Sequence, residues 1–140
     1  MGKIAGVILT PLKKIAVDNG DVFHAMNKGD IGFNGFGEVY FSNIKQGSVK
    51  AWKQHKKMTL NIIVPLGEIR FVLFDEISNT FQQINLSLDN YYRLTVPPML
   101  WMGFQGMADN SMLVNIANIQ HDPNEVNKKD LTEIKFNWSN

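Results

Sequence analysis

The residues best suited to chemistry lie in one basic stretch near the middle of the chain. Residues 45–57 contain no aspartate or glutamate, and they include His55 together with Lys45, Lys50, Lys53, Lys56 and Lys57. In an extended strand, Lys53, His55 and Lys57 project from one face. Because like charges disfavour protonation of an imidazole, a neutral His55 among ammonium groups could act as a general base. The lysines could then hold an anionic substrate.

Two other interpretations of the basic stretch stay open. A lysine-rich edge strand discourages edge-to-edge pairing and needs no ligand. A nucleic-acid surface is the second possibility, but the formal net charge is only +1. Nucleic-acid binders usually show a clear basic excess. We therefore expect no nucleic-acid partner.

The remaining histidines predict no metal site or further catalytic group. His24 lies in a glycine-rich region and His121 precedes an Asp-Pro turn, so both are predicted to be structural. No two histidines have the spacing of metal ligands on a strand or helix, and the chain has no cysteine. Because the glycines also form no phosphate-binding fingerprint, we expect no metal and no cofactor.

Aromatic residues provide a second group of candidate contacts. Trp52 lies inside the basic stretch, and Trp101 lies in an apolar run that begins with Pro97 and Pro98. Proline cannot donate to a β-ladder, so this run is expected at a sheet edge or a barrel mouth. Apolar side chains there could contact a sugar or a base, although core packing is the usual explanation for buried aromatics.

Short strands must position these residues. The β-favouring runs are 39–41, 61–64, 69–74, 92–96 and 112–116. The best helical candidate is the stretch 127–135, where Asp130 could cap a short turn. Many short strands with frequent turns predict an all-β sandwich or barrel. The expected core includes Ile62, Val64, Phe71, Leu73 and Leu113.

Length and composition fit one domain over residues 1–140. The chain has 140 residues, of which 44% are hydrophobic and 19% are charged. Its apolar runs fall short of the ~20 residues that span a bilayer, and its start lacks the layout of a signal peptide. We therefore expect a cytoplasmic protein with no membrane partner. The glycine-rich segment 1–35 is expected to wrap around the body or to reach a partner subunit.

Taken in order, several segments resemble the dTDP-4-dehydrorhamnose 3,5-epimerase family of cupin proteins. The likeness covers roughly residues 30 to 125, and it rests on the segments 37–42, 49–55, 67–68, 75–81, 86–90, 96–98, 103–104 and 122–125. The resemblance implies a cupin-type jelly-roll barrel of two antiparallel sheets. It also implies a homodimer and a nucleotide-sugar ligand.

The resemblance also assigns site residues. By position, the family's catalytic histidine falls on Lys53, its phosphate-contacting arginine on Lys50 and its tyrosine acid near Asn115. His55 stands at a glutamine position of the family motif, and Met102 at a histidine position. The usual histidine–tyrosine couple is therefore not in its usual places.

Two functions remain open on this basis. In the first, the protein is a nucleotide-sugar epimerase or isomerase that exchanges a proton beside a ketone. The nominated catalytic residues are His55 as base, Lys53, together with Lys50, as stabiliser of enolate or diphosphate charge, and Tyr40 or Tyr92 as the group that returns a proton. The nominated substrate contacts are Lys50, Trp52, Glu38, Asn115 and Trp101. In the second, the same barrel binds a sugar nucleotide or a glycan without turning it over.

Overall fold

Two five-stranded antiparallel sheets pack face to face in the computed structural model, which describes residues 2–139. The strands are β1 (Ile8–Pro11), β2 (Lys14–Ile15), β3 (Val22–Phe23), β4 (Glu38–Lys45), β5 (Val49–His55), β6 (Leu60–Leu66), β7 (Glu68–Asp75), β8 (Thr80–Ser87), β9 (Tyr92–Val96), β10 (Trp101–Gly106), β11 (Asn110–Ala117) and β12 (Val126–Lys128). The first sheet has the order β1-β9-β6-β11-β4, and the second has the order β12-β5-β10-β7-β8. This jelly-roll-like sandwich confirms the predicted all-β class.

The main core lies between the two sheets. Each of the expected core residues is at most 3% exposed, namely Ile62, Val64, Phe71, Leu73 and Leu113. Strand β7 is buried on both faces, because Phe71 and Leu73 join the main core while Val72 joins a second cluster on the outer face. Alternation of side chains along a strand places them in this way.

The opening segment packs against the body of its own chain. Strand β1, which the sequence pattern did not predict, pairs with β9. Arg93 is fully buried, and its guanidinium donates to the carbonyl oxygens of Ala25 (2.7 Å) and Ile31 (3.2 Å) and to Asp30 (3.1 Å). A hydrogen bond from the Asn27 backbone and the adjacent Arg93 hold the pKa of Asp30 below its ordinary value. A buried cation therefore holds this glycine-rich segment in place.

The helical candidate 127–135 is wrong. Strand β12 pairs with β5, and a single 3-10 turn, Leu131–Glu133, follows it with Asp130 at its N-cap, as predicted. Beyond the turn, Ile134, Phe136 and Trp138 pack on the outer face of the second sheet. The apolar side chains of the tail therefore cover this sheet face and do not form one side of a helix. In residues 2–139 no helix is long and apolar enough to cross a membrane.

Candidate active site

A cavity of about 930 Å³ is lined by residues of both sheets. Its base is apolar and includes Met58, Leu60, Ile62 and Leu113. The polar and charged lining residues are Glu38, Tyr40, Ser42, Lys50, Lys53, His55, Asn115, His121, Lys128, Lys129, Asp130 and Glu133. An apolar pocket of this size with convergent polar groups is typical of a small-molecule site.

A β-bulge brings the nominated cations to one wall of this cavity. Lys53 pairs with Met102 on β10, and Lys50 pairs with Phe104, so two residues of β5 lie opposite the single residue Gly103. Strict alternation would put residues 50 and 53 on opposite faces, but the extra residue returns both to the same face. Lys50, Lys53 and His55 all line the cavity as a result.

His55 at the end of β5 forms a short contact with a buried carboxylate. Its Nδ1 lies 2.5 Å from Oε1 of Glu125, and Glu125 is only 2% exposed. A carboxylate on Nδ1 fixes the tautomer and orientation of an imidazole, which leaves Nε2 as the nitrogen available to a ligand. The pair is therefore arranged as a general base with a positioning group.

Glu125 is held as a carboxylate by several donors. Its Oε2 accepts hydrogen bonds from the backbone N–H groups of Lys57 (3.1 Å) and Met58 (3.2 Å). Burial acts to raise the pKa of Glu125, but the hydrogen bonds from His55, Lys57 and Met58 outweigh burial and lower that pKa. A carboxylate with three donors remains a stable acceptor for the His55 ring.

The loop between β9 and β10 holds the backbone of His55. The Met99 N–H donates to the His55 carbonyl oxygen (2.7 Å), and the side chain of buried Gln54 donates to the Met99 carbonyl oxygen (3.1 Å). Met99 has a φ of 75°, a left-handed conformation that is unfavourable for a residue with a side chain. Such strain persists where surrounding contacts fix the backbone, and here those contacts fix the catalytic candidate.

Tyr40 and Asn115 lie on the opposite wall. The two residues are register partners on β4 and β11, and the Asn115 side-chain amide donates to the Tyr40 hydroxyl (3.2 Å). Asn115 is 1% exposed, so its amide orients that hydroxyl toward the cavity. The wall that faces His55 thus presents a phenol near the position where the family resemblance placed a tyrosine.

The other nominated residues fall in different places. Glu38 lines the cavity, and its side chain accepts a hydrogen bond from the His121 backbone N–H (2.9 Å). Trp52 also lines the cavity, but it is only 1% exposed, and its indole N–H donates to the Leu131 carbonyl oxygen. Trp101 does not line the cavity, because it projects from the outer face of β10 into the second cluster. Tyr92 packs against the main core, four residues along β9 from the lining residue Val96, and does not reach the cavity.

Sequence reasoning missed several residues of the site, among them Glu125, His121 and Lys128. Glu125 was noted only as part of the family resemblance, His121 was assigned a structural role, and Lys128 was not nominated. All three come from the segment after β11, for which the sequence predicts no strand and only the short helical candidate 127–135. The pairing of β12 with β5 brings Lys128 and the adjacent Glu125 to the site, and the His121 backbone N–H donates to the Glu38 side chain. Among residues 2–139 no group of three histidine, aspartate or glutamate side chains could hold a metal ion.

The fold and this site define a cupin-like jelly-roll protein with a polar cavity between its sheets and a histidine–carboxylate pair inside it. The chain belongs to the family described as "FdtA: WxcM-like, C-terminal", whose model matches residues 5–135. No curated protein sequence gives a significant match.

Solved structures agree with this assignment. A dTDP sugar isomerase from Desulfovibrio desulfuricans G20 is 34% identical, with a TM-score of 0.91 over 97% of this chain and 92% of that one. A 3,4-ketoisomerase, QdtA, from Thermoanaerobacterium thermosaccharolyticum, solved with TDP, is 22% identical, with a TM-score of 0.78 over 91% and 90% of the two chains. A dTDP-4-dehydrorhamnose 3,5-epimerase from Sulfolobus tokodaii is 20% identical, with a TM-score of 0.84 over 97% and 84%. The last two matches show a shared fold.

Proposed function

We propose that this protein is an isomerase or epimerase of nucleotide-linked 4-keto sugars, with His55 as the base. The observation that carries the proposal is the His55–Glu125 contact of 2.5 Å at the wall of a cavity that also presents Lys50 and Lys53. The similarity to a dTDP sugar isomerase supports the substrate class. The proposal is supported by an imidazole, lysine ammonium groups and a phenol hydroxyl in the cavity lining, since this chemistry requires a base, cations and a proton donor.

The reaction begins at the carbon beside the ketone. His55 Nε2 removes the carbon-bound proton, and the electron pair moves onto the carbonyl oxygen to form an enolate. A lysine of the cavity wall stabilises the negative oxygen, since the attraction between opposite charges is stronger in a partly dry site than in water. Return of the proton to the same carbon from the opposite face restores the ketone and inverts that carbon. To move the ketone, the proton goes instead to the former carbonyl carbon; the hydroxyl on the first carbon loses its proton and becomes the new carbonyl, and the enolate oxygen is protonated and becomes the new hydroxyl.

Tyr40 is the group that we propose returns the proton. Its hydroxyl lies on the wall opposite His55 and accepts from Asn115, so it has a fixed orientation. Two groups on opposite walls can act on opposite faces of a sugar ring. Tyr92 has no such position, because it packs in the core.

A binding protein without turnover is the second candidate function. Lys53 and Lys50 favour it. They stand where the resemblance to the dTDP-4-dehydrorhamnose 3,5-epimerases places a catalytic histidine and an arginine, so the cations for an anionic ligand are kept while the imidazole at the usual base position is lost. The two candidates differ in whether a carbon-bound proton of the ligand exchanges with solvent.

Solvent deuterium distinguishes the two functions. The protein is incubated in D₂O with dTDP-4-keto-6-deoxyglucose, and incorporation at the sugar carbons is followed by mass spectrometry and NMR. We expect the parent to incorporate deuterium, and His55→Asn to lose about 100-fold or more in rate, the usual range for loss of a general base. Tyr40→Phe should reduce product formation more than it reduces exchange.

Binding is measured in parallel by calorimetry. Lys50→Met and Lys53→Met should each weaken ligand binding by roughly 1–3 kcal/mol, the range for a lost charge-assisted contact. His55→Asn should leave affinity nearly unchanged. His24→Asn is the matched control, because His24 lies outside the cavity lining. Tight binding by the parent with no deuterium incorporation would favour the binding protein over the enzyme.

A further inference from the structure

Two lysines face each other directly across the strand pair β5 and β12. Lys128 of β12 is the register partner of Lys53, in a ladder that also pairs Val126 with His55. Directly opposed residues of an antiparallel pair project from the same face with Cβ atoms about 5 Å apart. Both lysines are exposed, and both line the cavity.

This arrangement is unfavourable in the unliganded protein. Like charges directly opposite each other destabilise an antiparallel pair. The ion pairs of the described residues join His55 to Glu125, Arg93 to Asp30 and Lys129 to Glu76, so none of them neutralises Lys53 or Lys128. Neither lysine is thus ion-paired within the described residues, and an anionic ligand bound between them would reduce their mutual repulsion.

The carboxylates in the cavity lining are Glu38, Asp130 and Glu133, and none of them forms an ion pair with Lys53 or Lys128 in the part of the chain that the structure describes. Asp130 and Glu133 also line the cavity, but Glu133 Oε2 accepts a hydrogen bond from the Asp130 backbone (2.5 Å) within the turn that follows β12. Lys129 lies over the Trp101 ring at 4.7 Å and near Glu76 at 3.8 Å, which separates it from the Lys53–Lys128 pair.

We propose that Lys128 and Lys53 bind the diphosphate of the ligand between them, and that Lys128 makes the site selective for a diphosphate over a monophosphate. The inference rests on the proposed function and adds a residue from the C-terminal segment to it. A single lysine suffices for one phosphate, whereas two opposed ammonium groups match the two negative phosphates of a nucleoside diphosphate.

The spacing along β5 is consistent with this assignment. Lys53 and His55 are two residues apart on the same face, which corresponds to roughly 7 Å along a strand. In a nucleoside diphosphate sugar, one hexose ring separates the phosphate-bearing carbon from the carbons near the ketone. A diphosphate held at Lys53 and Lys128 thus places the far side of that ring beside the His55 imidazole.

Calorimetry with unreactive nucleotides tests the proposal. Thymidine diphosphate and thymidine monophosphate are titrated into the parent, Lys128→Met and Lys128→Arg at low salt. We expect Lys128→Met to weaken thymidine diphosphate binding about 10- to 100-fold, the loss typical of a charge-assisted contact, and monophosphate binding less than about threefold. Lys128→Arg retains the charge and should restore most of the affinity.

Lys56→Met is the matched control, because Lys56 is an exposed lysine beside β5 that does not line the cavity. It should leave both affinities within about twofold of the parent. Thermal unfolding without ligand gives a second readout, since removal of the Lys53–Lys128 repulsion should raise the Tm of Lys128→Met by about 1–4 °C at low salt.

The proposal is overturned if Lys128→Met binds thymidine diphosphate within twofold of the parent, or if Lys56→Met weakens it equally. A parent that binds no thymidine diphosphate would also overturn it. Because these titrations involve no turnover, a Lys128 effect without deuterium exchange would contradict only the catalytic role of His55. If Lys128→Met keeps both the deuterium exchange rate and the thymidine diphosphate affinity of the parent, only the diphosphate site is contradicted, and the proposed function stands.

Discussion

At the scale of single residues, the site depends on a contact between a half-buried imidazole and a buried carboxylate. His55 supplies the nitrogen that faces the cavity, and Glu125 fixes the other nitrogen while its second oxygen binds two backbone N–H groups. Glu125 acts through His55, so it is a positioning residue. Its removal should affect the rate of proton transfer more than it affects ligand binding.

We expect Glu125→Gln to lower kcat about 10- to 100-fold with KM changed less than about threefold, the usual effect of losing a group that orients a histidine. Deuterium exchange at saturating substrate measures this effect. Glu76→Gln is the control, because Glu76 is an exposed carboxylate outside the cavity lining. A rise in KM without a fall in kcat would contradict the positioning role.

The same substitution has a pH-dependent effect on stability. The folded pKa of Glu125 lies below its ordinary value of 4.5, so the folded protein binds fewer protons than the unfolded chain as the pH falls. The contribution of Glu125 to stability is therefore complete above pH 4.5 and is lost as the pH falls through the folded pKa. Urea unfolding should show the parent's advantage over Glu125→Gln shrinking below that pH. An advantage that grew instead would contradict the lowered pKa.

At the scale of elements, the bulge in β5 opposite Gly103 places the side chains of Lys50 and Lys53 on the same face of the strand. A Cβ at Gly103 would lie 2.7 Å from the Ala51 Cβ and 3.0 Å from a ring carbon of Trp138. A side chain at position 103 would therefore push β5 away from β10 or displace the C-terminal tail. Glycine is needed here for close approach of the strands.

Gly103→Ala should lower the free energy of unfolding by roughly 1–3 kcal/mol, the range for overpacking a well-packed site. It should also weaken diphosphate binding, because the bulge aligns Lys50 with Lys53. Gly29→Ala is the control, since a Cβ there meets no atom within 4 Å. Equal stabilities of the two variants in urea would show that the close approach at Gly103 is not required.

At the scale of the whole molecule, the chain covers the two outer sheet faces unequally. The C-terminal tail covers the second sheet. On the first sheet, Val39 and Phe41 of β4 are 51% and 68% exposed, and their register partners Ile116 and Val114 extend the same apolar face. Contiguous exposed apolar surface is typical of interaction sites, and homodimer interfaces are more apolar than other protein interfaces.

We expect a second copy of the chain to cover this face in a homodimer. Light scattering coupled to size exclusion should give the dimer mass for the parent and a monomer mass for Phe41→Lys. Ile77→Lys is the control, because Ile77 is 91% exposed at the tip of the β7–β8 hairpin, and it should remain a dimer. A parent that is monomeric at working concentration, or a dimeric Phe41→Lys, would contradict this interface.

Local sequence determined the strand class, much of the core and the basic wall. Alternation and β-branched runs predict β7 and its two buried faces, because side-chain direction along a strand depends only on adjacent residues. The stretch 45–57 likewise identified His55, Lys50 and Lys53, since a run of lysines without acids is visible in the sequence alone.

Only the tertiary structure decided which partners these residues have. Glu125 is 70 residues from His55, and Lys128 is 75 residues from Lys53, so no local pattern connects them. Trp101 belongs to a core cluster because the tail folds over its face. Residues 127–135 form the end of strand β12 and a single 3-10 turn because β12 pairs with β5. Pairing between strands that are distant in sequence depends on which other side chains the fold buries. A pattern of neighbouring residues does not contain that information.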